Sequence, residues 1–180
     1  AATDIAYISD LVTIPDATGE AAIHAATAFG LYRYDQTNDA WIKTNITMPE
    51  ARYNGRGTNV WNADIYFPAG MGLWRAIYGT ETRVFGVGPD RDHGLPLINR
   101  GAIVDLAPGH DILAVCLEGD FTGFRHYNAS AADLRSLVLA YDGSGWQVLW
   151  QSATANERTR KVVIGSAYNT YRLWFSSTVG

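Results

Sequence analysis

The chain is 180 residues long, 47% hydrophobic and 18% charged, with a formal net charge of −4. That length suits one domain spanning residues 1–180, and so apolar a composition excludes a disordered tail. The acidic balance argues against nucleic acid as a partner, because phosphate contacts need a basic surface.

The predicted elements are almost all strands. Ala6–Ile14, Ala21–Thr27, Gly30–Tyr34, Ala40–Thr44 and Val60–Phe67 alternate or cluster apolar and aromatic residues in strand fashion. Gly72–Tyr78, Thr82–Val87, Leu95–Asn99, Ala102–Leu106 and Asp111–Leu117 follow. Leu137–Tyr141, Trp146–Gln151, Lys161–Gly165 and Tyr171–Ser176 complete the set. Turn chemistry separates them at Gln36–Asp39, Pro68–Gly70, Pro108–Gly109 and Asp142–Gly145. Helical signals are weak; a single turn is expected at Ser130–Leu134.

The strands repeat. Leu31-Tyr32-Arg33-Tyr34-Asp35 leads through a polar turn to Trp41, as Leu137–Tyr141-Asp142 leads to Trp146. Thr82–Val87 falls midway and is read as the same strand. Val60–Ile65, Gly101–Leu106 and Lys161–Gly165 form a second equivalent set. Gly72–Ala76, Asp111–Val115 and Tyr171–Phe175 form a third. The period is about 53 residues, which gives about three and a half units of four antiparallel strands each. The expected architecture is therefore all-β, a propeller-like array of stacked blades. Trp41 with Trp146, and Trp74 with Trp174, are expected to pack between blades.

The run Leu31-Tyr32-Arg33-Tyr34-Asp35, Trp41, Pro49 and Arg52 resembles the kelch β-propeller repeat, although Phe29-Gly30 stands where kelch units carry a glycine pair. The Tyr141–Trp146 turn is also shorter than the Tyr34–Trp41 turn. The hairpin Leu137–Trp150, with Lys161–Ile164 and Tyr171–Phe175, is similar to propeller segments of tailed-phage virion proteins. These resemblances imply a structural or interaction module in a virion or other extracellular assembly. Closed propellers usually need at least about four blades. The array is therefore expected to belong to a larger protein or to be completed by another copy.

Candidate contact residues lie in the least repetitive segments. Phe121, Phe124, Arg125, His126 and Tyr127 sit in the longest insertion, Glu118–Asp133, where exposed aromatics and Arg suit binding. Asp90, Arg91, Asp92 and His93 form the most polar turn. Two carboxylates there suit a calcium ion, but the full ligand pattern is missing and a solvated turn explains them. His110-Asp111 is an acid–base pair by residue type, and a turn entering a strand by context. Asp35 and Asp142 occupy equivalent repeat positions, which assigns them to bonding their own turns. The alternative to a non-enzymatic module is a carbohydrate-active propeller enzyme (glycoside hydrolase or sialidase-like), with acids from Asp90/Asp92 and His110/Asp111. No catalytic residue, metal or cofactor is assigned. The expected partner is a protein or a second copy of the chain, with a glycan as a further possibility.

Cys116, the single cysteine, lies in an apolar strand and reads as a small buried hydrophobe. Twelve of the fourteen basic residues are Arg, which suits interface pairing. No apolar run is long enough for a membrane helix, so no membrane insertion is expected. The Ala1-Ala2-Thr3-Asp4 start has no charged-then-apolar leader, so a secretion signal is expected to be absent or already removed.

Overall fold

The computed structural model describes residues 8–15, 19–47, 55–69, 72–77, 82–86, 103–118, 135–154, 157–167 and 170–179. These residues form strands and turns without a helix, in antiparallel sheets. The first sheet holds β1 (Ile8–Pro15), β2 (Ala21–Thr27), β3 (Gly30–Asp35) and β4 (Ala40–Thr47). The second holds β5 (Asn59–Trp61), β6 (Asp64–Ala69), β7 (Gly72–Ile77) and β8 (Thr82–Gly86). The third holds β9 (Ile103–Pro108), β10 (Leu113–Leu117), β11 (Leu137–Tyr141) and β12 (Trp146–Gln151). A two-stranded sheet of β13 (Thr159–Ala167) and β14 (Thr170–Ser177) ends the series. Within each sheet the strands pair in chain order. The expected Leu95–Asn99 strand and the Ser130–Leu134 turn lie outside the described residues.

The Tyr–Trp hairpins are equivalent in the structure. Tyr34 pairs across from Trp41 in the first sheet, and Tyr141 pairs across from Trp146 in the third. The longer spacing in the first adds one ladder pair, Asp35 with Ala40, beyond the aromatic pair. The rings touch in both hairpins, with centroids 5.2 Å and 5.0 Å apart.

The second sheet departs from the expected phase. Val60–Phe67 is not one strand, because Asn62 and Ala63 adopt φ of 48° and 64° and turn the chain between Trp61 and Asp64. Paired left-handed residues match the twist of a two-residue hairpin. The extra hairpin moves every later strand of that sheet by one place. Thr82–Gly86 is thus a fourth strand rather than the counterpart of β3 and β11, and Gly72–Ile77 is a third strand rather than the counterpart of β10 and β14. Trp74 and Trp174 are consequently not equivalent.

Sheets pack face to face through three apolar clusters. Ile14, Ala26 and Leu31 of the first sheet meet Ile65, Phe67 and Ala76 of the second. Trp61, Tyr66 and Leu73 then meet Leu106, Val115, Leu139 and Tyr141 of the third. Val104, Ala114, Cys116 and Val138 meet Val162, with Leu173 and Phe175 of the fourth sheet alongside. Trp61 is the aromatic centre, its ring edge-on to Tyr66 at 5.6 Å and to Tyr141 at 5.9 Å. Such pairs add about 0.5–1.5 kcal/mol beyond burial.

The inner strands β9, β10 and β11 of the third sheet and β6 of the second are buried on both faces, whereas the edge strand β12 is exposed. On the outer face of the first sheet Leu11 (60% exposed) and Ile23 are exposed, while Ala25 and Tyr32 on the same face are buried; Val163 and Trp174 (50% exposed) lie on the open face of the last. Trp174 therefore contradicts the expectation that it packs in the interior. Among the described residues no helix is long and apolar enough to cross a membrane.

Candidate functional site

The opening strand of every sheet borders one polar cavity of about 290 Å³, lined by Asp10 and Thr13 of β1, Asn59 of β5, Asp105 of β9 and Lys161 of β13. Contacts run from β1 to β5, β5 to β9 and β9 to β13, so these strands follow one another around it in chain order.

Side chains fasten this arrangement. Asp10 Oδ2 accepts the Gly57 backbone N–H at 2.7 Å. Gly57 in turn lies against β9: a Cβ there would stand 2.7 Å from the Leu106 nitrogen and 2.8 Å from Asp105 Oδ1, at a φ of +75°. Only glycine suits both the space and the backbone. Asp105 Oδ2 accepts the Val162 N–H at 2.9 Å, and its Oδ1 faces Lys161 Nζ at 3.5 Å. Burial pushes the Asp105 carboxyl above its ordinary pKa, against the opposing pull of the Val162 N–H and the Lys161 charge.

A second concavity, about 230 Å³, lies where the β9–β10 turn meets β13 and β14. Its half-buried wall is Ile112, Ile164 and Leu173; its exposed rim is His110, Asp111, Tyr171 and Arg172. The turn is held from several directions. Gly109 N–H bonds to the Ile112 carbonyl at 2.8 Å, and the Trp61 indole N–H bonds to the Gly109 carbonyl at 3.1 Å. A Cβ on Gly109 would meet Ile164 Cδ1 at 3.0 Å, so glycine lets the turn sit against β13. His110 Nδ1–H donates to Asp111 Oδ1 at 2.5 Å, and the imidazole stacks on Tyr171 with centroids 6.0 Å apart. Arg172 pairs with Gly165 in the ladder, and its side chain makes no hydrogen bond or ion pair among the described residues.

Of the residues predicted from sequence, His110 and Asp111 are thus brought together, with an aromatic and a guanidinium from far along the chain. Phe121, Phe124, Arg125, His126, Tyr127, Asp90, Arg91, Asp92 and His93 lie outside the described residues. Asp35 and Asp142 bond their own turns, as expected. Asp35 accepts the Thr37 N–H and the Asn38 side-chain amide, and Asp142 Oδ1 accepts the Ser144 and Gly145 N–H groups, each at 2.8 Å. Sequence reasoning missed Asp10, Asp105, Tyr171 and Arg172. Asp10 and Asp105, each a carboxylate within an opening strand, carried the available signal. Among the described residues no group of three His, Cys, Asp or Glu side chains is placed to hold a metal ion.

No protein-family model matches the chain, and no curated protein matches it. Among solved structures it is similar to the computationally designed Ika4 protein, with a TM-score of 0.51 at 12% identity. That likeness covers 93% of this chain and 90% of the designed one, and at this identity it is a likeness of fold alone.

Proposed function

We propose that this chain is a non-enzymatic interaction module, a propeller-like array whose sheets act as blades. The convergence of all four opening strands on one polar cavity carries the reading, since radial stacking of sheets produces that geometry. The kelch and phage-propeller resemblances support a place in a virion or other extracellular assembly. The exposed apolar residues of the end sheets, Leu11 and Ile23 on the first and Val163 and Trp174 on the last, support self-association. Between successive sheets of the described chain such residues are covered at three apolar clusters, and a second copy would cover those left exposed at the ends.

Light scattering on the purified chain tests this. A defined oligomer is expected, with Leu11→Glu and Trp174→Glu each shifting it toward monomer. A stable 19.7 kDa monomer at all accessible concentrations would sink the self-completed array.

The hydrogen-bonded His110–Asp111 pair favours one second reading, a carbohydrate-active enzyme, because acid–base catalysis uses an imidazole positioned by a carboxylate. Glycoside turnover that vanishes in His110→Ala and Asp111→Ala would establish it. Turnover unaffected by both, or none in the parent chain, would remove it.

A further inference from the structure

We propose that the cleft between the β9–β10 turn and β13–β14 binds the carboxylated sugar ring of an acidic glycan. This rests on the interaction-module reading and names its ligand. Three features of the cleft point to that chemistry.

The first is size. A volume of about 230 Å³ is below the ~300–1,000 Å³ usual for drug-sized ligands, so the cleft fits a single ring. The second is the division of its surface. Half-buried Ile112, Ile164 and Leu173 offer an apolar wall, and Tyr171, 58% exposed, adds an aromatic ring. A pyranose presents an apolar C–H side to such a surface while its hydroxyls point outward. Asp111 accepts hydroxyl hydrogens there. The His110 ring, held to Asp111 through Nδ1, adds a second polar group beside it at the rim. The third is Arg172, whose guanidinium is uncommitted among the described residues and suits bidentate pairing with a carboxylate.

The turn bearing His110 and Asp111 is fixed before any ligand arrives. Trp61 holds the Gly109 carbonyl from the second sheet, and Ile164 supports Gly109 from the fourth. Preorganisation of this kind lowers the ordering cost of binding.

The test is an NMR titration of the full 180-residue chain with methyl β-D-glucuronide and, separately, methyl β-D-glucoside. The two probes differ in the carboxylate. Saturable shifts are expected at residues 109–112 and 171–173, with the glucuronide bound about tenfold more tightly because its carboxylate makes charge-assisted bonds. Arg172→Gln, at an exposed position, is expected to abolish the preference and leave weak binding of both sugars. Tyr171→Ala is expected to weaken both by about tenfold through loss of the aromatic surface. No shift at those residues up to roughly 20 mM of either sugar would overturn the proposal, as that limit lies beyond the millimolar affinities of weak sites. A glucuronide preference that survives Arg172→Gln would overturn it too, as would shifts produced by an oligo-aspartate peptide and by neither sugar. An unchanged oligomer mass in any of these cases leaves the module reading standing and removes the glycan alone.

Discussion

Asp10 and Asp105 perform the same task one sheet pair apart: each carboxylate, on the opening strand of its sheet, accepts a backbone N–H from the segment that opens a later sheet. The bonds from Asp10 to Gly57 and from Asp105 to Val162 tie together sheets that share no ladder hydrogen bond. Asp105 is the more exacting case, because it is buried and half of an ion pair with an exposed lysine.

Asp105→Ala is expected to cost about 1–3 kcal/mol, the penalty of leaving the buried Val162 N–H without an acceptor. Asp105→Asn keeps an acceptor and is expected to cost less. The pH dependence has a definite sign. With its folded pKa raised, Asp105 keeps its proton in the folded chain after the unfolded chain has lost it. Its contribution to stability therefore falls as pH rises from the ordinary aspartate value of about 3.9 through the folded value. Urea unfolding across that range should show this slope in the parent and lose it in Asp105→Asn. Identical slopes would refute the assignment.

Asp142 has the opposite sign. The Ser144 and Gly145 N–H groups and the Ser144 hydroxyl hold its carboxyl below the usual range, as the Asn38 side-chain amide does first for Asp35. Their contribution is complete above the ordinary value of about 3.9 and is lost as pH falls through the folded pKa. Asp142→Ala is expected to be less stable than the parent at neutral pH, with the difference closing in acid. Unfolding midpoints measured from neutral to acid pH decide it; a gap that stays constant would contradict the turn-bonding role.

Gly57→Ala is expected to be the most damaging glycine substitution in the described chain. It combines a left-handed backbone, about 1–2 kcal/mol for any residue with a Cβ, with a collision against β9 backbone. Gly19→Ala is the control: its φ is +85°, yet nothing lies within 4 Å of the added carbon. Thermal unfolding should place Gly19→Ala well above Gly57→Ala. Equal losses would mean that the close approach to β9 is unimportant.

Cys116 is buried among Val104, Ala114 and Val138, and desolvation pushes its thiol up to about 12. The native chain is expected to resist thiol reagents at neutral pH and to react only on unfolding. Because the unfolded thiol ionises near its ordinary value, stability is lost as pH rises from about 8.5 toward the folded value. Labelling with and without denaturant measures the first point. Rapid native labelling would show that β10 opens readily.

Much of the strand content was readable because apolar alternation and turn residues bracket each segment, and the Tyr–Trp hairpins repeat with the same cross-strand pairing. The Asn62-Ala63 turn was not readable. Asn tolerates a left-handed backbone, but Ala at φ 64° carries no compositional mark, so Val60–Phe67 looked continuous. The cavity and the cleft were hidden for a different reason. Asp10 and Asp105 resemble any polar residue in an alternating strand, and Tyr171 meets His110 only after the fourth sheet docks on the third. Trp61, the aromatic centre of the core, was overlooked for the same cause: its neighbours Tyr66 and Tyr141 come from both sides of a sheet interface.

The pairing of every described strand with a neighbour in sequence bears on how the chain reaches this state. Most hairpins between adjacent segments close short loops, which form fast; β10 and β11, paired from Leu117 to Leu137, close the long one. Contacts between distant segments lie at sheet faces and in a few side-chain bonds, among them Asp10 to Gly57, Asp105 to Val162 and Trp61 to Gly109. Kinetic effects should divide accordingly. Mutations inside a hairpin would slow folding, whereas loss of the Asp10 or Asp105 bond would chiefly accelerate unfolding, as the docked sheets separate first.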